Sequence, residues 1–431
     1  DSDAWREQAV AWTFLDNDAA AIEGFDKALA LNPHDAAAHR QRGGALSRLG
    51  EYARALEAFD AALALEPESD FAMGQRGVTL GEMGDFDGAM EWFHKALAIA
   101  PGNHDAMRNI GILLLNRGEY DAAEEWFGKA LATAPDDSKA MRQLGRLFLA
   151  KKEYGTAHEW LDKAIALSPG DCSILRTRWE VLYQMDRYAE ALCCLERILA
   201  AMPDDPEGLF CSGVVLVCMK DYAAAIERFD RFLATHPGDP VAMRERAIAM
   251  YESGEYGAAA GWFDKALAIA PDDVVALRFR GACCMEQDDY PAALTYLDQA
   301  LALDGGNTNT LSWKGWALLM SGSADEAIAY LRQALAAVPE NYDALGALAY
   351  ALLDRDDCEG ALACCQKALE INPRDVDSMY ALAEIMARKG ALREAFEWLG
   401  KVLEQKPHEA YPFFGLAGSL KRKGMMDGAI A

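Results

Sequence analysis

The chain has 431 residues, 52% hydrophobic and 26% charged, with 68 Asp and Glu against 42 Lys and Arg for a net charge of −26. That balance excludes nucleic acid and anionic membrane surfaces as general partners, since both need a basic face. No apolar run reaches the roughly 18 residues of a membrane-spanning helix.

From Ser2 onward the chain repeats every 34 residues, with new copies at Ala36, Asp70, His104, Ser138, Cys172, Pro206, Pro240, Val274, Thr308, Tyr342, Val376 and Ala410. Twelve copies are complete (2–409), a thirteenth is a 22-residue stub (410–431), and no copy carries an insertion. A fixed period of this length marks a solenoid, in which each unit buries its apolar face against its neighbours.

Each copy predicts a first helix over about positions 1–14 and a second over about positions 17–31, joined by a turn that often holds Gly at position 15, as at Gly50, Gly84 and Gly118. Position 20 is Ala in all thirteen copies, small enough for close helix crossing, and position 8 is usually Gly. Position 24 is large and apolar, such as Phe25 or Phe59, and position 32 is Pro in eleven of twelve copies, with Gly305 the exception. Proline ends the second helix, and a polar residue at position 34 (Asp35, Ser69, Asn103) is placed to cap the next first helix. Glu-to-Lys pairs such as Glu91–Lys95 and Glu125–Lys129 mark a solvated face of the second helix.

In chain order, the copies differ chiefly on the first helix. Position 5 reads Arg6, Arg40, Gly74, Arg108, Arg142, Arg176, Phe210, Arg244 and Arg278, then Ser312, Gly346, Tyr380 and Phe414. Two readings stand: structural pairing with Asp at position 34 or with acids such as Asp105 and Glu207, or a basic stripe that captures carboxylates or phosphates. Position 7 is often basic (Arg42, Arg76, Arg178, Arg246, Arg280, Lys314), which predicts a stem packed over the next repeat with its charge in solvent. Trp179 stands where position 8 expects Gly, and Ile198 and Phe232 replace alanine at position 27, so helix spacing and pitch are expected to change near copies six and seven. Past Gly305–Gly306, a hinge is expected to divide 1–305 from 306–431.

Ten cysteines lie at or after Cys172, without CxxC spacing, and the seven histidines are scattered. Cys283, Cys284, Cys358 and Cys365 fall on core positions as small hydrophobes; Cys211 and Cys218 share one helix face. No metal site, cofactor motif or catalytic residue emerges: there is no phosphate loop, HExxH or nucleophile elbow. Cysteines without a disulfide framework favour a reducing, cytoplasmic setting. The chain begins mid-repeat at Asp1, so a signal peptide is neither seen nor excluded, and extracellular or periplasmic locations stay open.

The pattern resembles the tetratricopeptide repeat family, W-x2-L-G-x2-Y followed by Ala, an aromatic, Ala and Pro. The second copy, AAAHRQRGGALSRLGEYARALEAFDAALALEPES, matches nearly throughout. The resemblance implies an all-α, right-handed superhelical solenoid of thirteen helix-turn-helix repeats, the last truncated. It also implies a concave groove lined by first helices, through positions 2, 5, 6, 9, 12 and 13. On that basis the candidate partner-binding residues are Arg6, Arg40, Arg108, Arg142, Arg176, Arg244 and Arg278, followed by the aromatics Trp313, Trp316, Tyr350 and Tyr380. The family's carboxylate-clamp members place Asn in this groove; here Asn109 is the only Asn at position 6.

The expected function is a non-catalytic scaffold that binds an extended, acidic peptide or protein. One alternative is head-to-tail self-assembly into filaments or rings through apolar ends, Trp5 and Trp12 meeting Tyr411, Phe413, Phe414 and Leu416. Another is that the repeats belong to a larger enzyme.

Overall fold

A computed structural model describes residues 1–405, and the expected end-contact residues Tyr411, Phe413, Phe414 and Leu416 lie outside them. Among the described residues there are 24 α-helices and no strand. The chain divides into two compact units, Asp1–Gly208 and Leu209 onward.

The first unit holds α1 (Ser2–Phe14), α2 (Asp18–Leu31), α3 (Ala36–Arg48), α4 (Tyr52–Leu65), α5 (Asp70–Glu82), α6 (Phe86–Ile99), α7 (His104–Asn116), α8 (Tyr120–Thr133), α9 (Ser138–Ala150), α10 (Tyr154–Leu167), α11 (Cys172–Gln184) and α12 (Tyr188–Ala201). α13 (Pro206–Cys218) begins at the boundary. The second unit continues with α14 (Tyr222–Thr235), α15 (Pro240–Glu252), α16 (Tyr256–Ile269), α17 (Val274–Met285), α18 (Tyr290–Leu303), α19 (Thr308–Met320), α20 (Ala324–Ala337), α21 (Tyr342–Asp354), α22 (Cys358–Ile371), α23 (Val376–Arg388) and α24 (Leu392–Gln405). Odd helices are first helices and even ones second helices.

Within a copy the two helices close on position 20, where Ala55, Ala89, Ala123 and Ala157 are 0% exposed. Position 8 then faces position 24. A Cβ on Gly77 would sit 2.7 Å from the Phe93 ring, so glycine lets that buried ring lie close against the first helix; in the copies of Phe25 and Phe263 the position is held by Ala9 and Ala247.

The turn between the helices needs a left-handed residue at position 15. Gly50 has φ of 77°, and its neighbour Glu51 donates back to the Leu46 carbonyl, a Schellman closure of the first helix. Lys152 holds the same conformation at φ 62°, which a Cβ makes costly.

Position 34 caps the next first helix. Asp35 accepts from the Ala38 amide at 3.0 Å, and Asn103 from the Ala106 amide at 2.9 Å. These caps fix the register of one copy on the next.

The position-7 cations differ from the expectation of solvated charge. Arg42, Arg76, Arg178, Arg246, Arg280 and Lys314 each pair with an Asp sixteen residues earlier: Asp26, Asp60, Asp162, Asp230, Asp264 and Asp298. Arg76 also lies 4.4 Å from the Trp92 ring centroid, with Lys95 over the same indole at 4.2 Å. Instead of reaching over the next repeat with a solvated charge, Arg76, Arg246, Arg280 and Lys314 are each held between an acid of the preceding copy and an aromatic of their own.

Cys283, Cys284 and Cys365 are buried and Cys358 is half-buried, consistent with small hydrophobes in the core.

Candidate functional site

The position-5 arginines divide by what the position-34 residue offers. Arg6 reaches Asp35 at 2.8 Å while the other oxygen of that carboxylate caps α3. Arg108 reaches Asp137 at 2.5 Å and also pairs with Asp105. Arg176 reaches Asp205 at 2.6 Å and also pairs with Glu207. Arg244 reaches Asp273 and Glu245, both at 2.7 Å. In these copies one Asp caps a helix with one oxygen and holds an arginine from the copy before with the other.

Proton affinities follow. The hydrogen bond from Arg6 to Asp35 raises the Arg6 pKa. Burial acts to lower that of Arg176, but Asp205 and Glu207 outweigh it and the net shift is upward. The same balance raises Arg244.

Arg40 has Ser69 at position 34, keeps a long 3.6 Å contact with Glu66 and lies over the Phe71 ring. Arg142 has Asp171 at the right offset, yet makes no ion pair among the described residues. Burial lowers its pKa, the neighbouring Arg146 and Arg108 push the same way, and only the Asp171 charge opposes. A cation whose folded pKa lies below its unfolded value costs stability at every pH beneath the folded one, hence throughout the neutral range.

Arg146, one turn further along α9, is exposed and donates to the Gln143 side chain at 3.0 Å. It lines an open concavity of about 510 Å³ with Leu149, Ala150, Lys152, Tyr154, Arg176, Thr177, Glu180, Gln184 and Glu207. These residues come from positions 2, 5, 6, 9, 12 and 13, from the turn after α9 and, for Tyr154, from the start of α10. Burial raises the pKa of Glu180, with Arg146 opposing and Glu207 adding to it. Arg108 lines a second hollow of about 520 Å³ with His104, Asp105 and the 134–139 turn.

Arg146 is absent from the position-5 stripe. Its signal in the sequence was its spacing: position 9 belongs to the same face, four residues after Arg142.

In the second unit, Arg278 lies 5.3 Å from the Phe279 ring and 5.2 Å from that of Trp313. Trp316 meets Tyr350 edge to face at 5.8 Å, and the Tyr350 hydroxyl donates to the Asp377 carbonyl at 3.2 Å. Tyr380 packs on the core of α23 and α24 through Ala383, Ala387 and Leu399. Trp313 thus meets an arginine, whereas Tyr350 and Tyr380 are engaged in packing between and within copies. In the first copy Lys27 lies 4.5 Å over Trp5, and Trp12 packs against the core at Ala9 and Phe25.

Among the described residues no group of three or more His, Cys, Asp or Glu is arranged to hold a metal, and no helix is long and apolar enough to cross a membrane.

Family models place the chain among known repeats. A tetratricopeptide repeat model matches residues 15–70, 45–104, 216–274, 284–342, 314–376 and 347–410, and a second matches 82–147. A model of anaphase-promoting complex, cyclosome, subunit 3 matches 116–198. No curated protein matches the chain.

Among solved structures, a tetratricopeptide repeat protein from Parabacteroides merdae is similar at 17% identity and TM-score 0.51, over 58% of this chain and 98% of that one. Yeast Tom70 aligns at 16% identity and TM-score 0.45 over 97% and 99%. Cut9–Hcn1 of the APC/C aligns at 15% and 0.48 over 97% and 96%. The first of these likenesses is one of fold.

Proposed function

We propose that this chain, which belongs to the tetratricopeptide repeat family, is a non-catalytic scaffold whose first-helix face binds an extended acidic segment of a protein partner. The family's scaffolds are typical of protein–protein interaction; the acidic character of the partner is our reading. The observation that carries it is the pair Arg142 and Arg146. In a chain of net charge −26, two guanidiniums stand one turn apart without an ion pair among the described residues, and Arg142 is partly desolvated beside like charge. Burying a cation without a counter-charge is unfavourable, and a bound carboxylate would remove that cost. The paired arginines on either side, Arg108 and Arg176, belong to the structural clamp and contribute mainly shape.

The test is fluorescence anisotropy with a labelled, extended Glu/Ser peptide and its Gln/Ser counterpart. Charge-assisted hydrogen bonds contribute about 1.5–3 kcal/mol each. Replacing Arg142→Gln with Arg146→Gln is therefore expected to weaken the Glu peptide by at least about tenfold, and Arg142→Gln alone to leave melting temperature unchanged or higher. Unchanged binding, or equal binding of the Gln peptide, would overturn the proposal.

A further inference from the structure

The second unit carries another uncompensated cation, placed differently. In four sister copies, those of Arg6, Arg108, Arg176 and Arg244, an Asp twenty-nine residues after the position-5 arginine neutralises it, as Asp273 does for Arg244. For Arg278 that position is Asn307. Its side-chain oxygen caps α19, accepting from the amide and hydroxyl of Thr310, and its amide donates to Asp304. Asparagine keeps the cap and withholds the charge.

Arg278 makes no ion pair among the described residues, and burial alone lowers its pKa, with no neighbouring charge contributing. Its Nε is sealed without a hydrogen-bond partner. The two Nη nitrogens make no hydrogen bond or ion pair among the described residues either, but they are not sealed as Nε is. The rings of Phe279 and Trp313 flank the guanidinium, and the two rings meet edge to face at 5.3 Å. Both are half-buried. Tyr251 closes the other side of Phe279 at 5.5 Å.

We infer that Arg278, Phe279 and Trp313 form a binding site for one carboxylate next to an aromatic side chain, an acidic–aromatic step in a protein partner. The free Nη edge offers two parallel N–H groups, which suits a carboxylate taken end-on, and the half-buried rings offer an apolar bed beside it. A monoanion fits because Arg278 stands as a single uncommitted charge: Arg280 is held by Asp264 and Arg244 by Asp273 and Glu245. A phosphate would ask for a second free cation. This inference rests on the reading that first-helix faces take peptide, but not on the arginines of α9.

The probe is a capped hexapeptide containing Asp-Trp, with Asn-Trp and Asp-Ala versions as controls. Binding is followed on the full chain by fluorine NMR of 5-fluorotryptophan, the Trp313 resonance being assigned with Trp313→Phe. The Asp-Trp peptide should shift that resonance saturably, and both controls should bind at least fivefold more weakly. Arg278→Gln should weaken binding at least tenfold. Asn307→Asp is the decisive variant because it retains the cap. It should supply the missing clamp and weaken the probe at least tenfold; because the hydrogen bond from Asn307 to Asp304 is replaced by two facing carboxylates, no gain in melting temperature is expected. Arg142→Gln with Arg146→Gln should leave the probe's affinity unchanged, which separates this site from the one on α9. A Trp313 resonance that does not respond, equal binding of Asn-Trp, or an Asn307→Asp chain that binds as before would each overturn the inference.

Discussion

Glycine serves opposite ends on the two helices of a copy. At Gly77 an added Cβ would lie 2.7 Å from the Phe93 ring, itself 1% exposed, and a close-packed interior does not yield by several tenths of an ångström without strain. Gly77→Ala is expected to destabilise by about 1–2 kcal/mol, overpacking exceeding the gain in helix propensity of about 1 kcal/mol. Gly128, inside α8, has nothing within 4 Å of its missing Cβ. There Gly128→Ala is expected to stabilise by about 0.5–1 kcal/mol through propensity alone. Paired thermal and urea denaturation check the opposite signs; destabilisation of both would mean that the α8 face is covered by something else.

Helix α9 shows how a cap and a clamp share one side chain. Asp137 accepts from the amides of Lys139 and Ala140 at 2.9 and 3.0 Å with one oxygen, and holds Arg108 with the other. Asp137→Asn keeps the cap and loses the ion pair, while Asp105 still holds Arg108. Asp137→Ala loses both, and is expected to cost about 1 kcal/mol more, seen as lower hydrogen-exchange protection in the first turns of α9. Equal protection in the two variants would show that the cap contributes nothing there. The cap, the Gly turn, the Pro stop and the crossing Ala were all legible in the sequence, because each acts within one copy or across one junction and recurs at a fixed position. The fate of the cations was not. The partner of Arg76 is Asp60 in the preceding copy, beyond any i,i+4 search within its helix. Arg108 and Arg142 have an Asp at the same offset, yet only Arg108 closes on it, a difference of side-chain geometry that spacing does not encode. Arg146 stands at position 9, off the position-5 stripe, and belongs with it only when the whole helix face is considered.

Across the molecule, stability and association both follow from how the repeats distribute core and charge. In the first unit one apolar cluster runs from Met73 to Val181, whereas Ala9, Ala21 and Phe25 of α1 and α2 form a small one with Ala38 of α3. Nearest-neighbour energetics then predict that hydrogen exchange in α1 and α2 opens at lower free energy than in α7 to α10; equal protection would contradict it. Charge sets the approach of the partner. A chain of −26 repels an acidic segment at long range, while the uncommitted arginines attract it only at contact. Raising the salt from about 10 to about 150 mM shortens the screening length from about 30 to about 8 Å, which removes the distant repulsion before the close attraction. The association rate of the Glu/Ser peptide is therefore expected to rise over that range, the reverse of ordinary electrostatic steering. Its dissociation rate should rise as well, as the arginine contacts weaken. Stopped-flow mixing across the salt series measures both rates. An association rate that falls steeply from the lowest salt would mean that the arginines govern the field well beyond contact, and that the acidic body of the repeats plays no part in how the partner arrives.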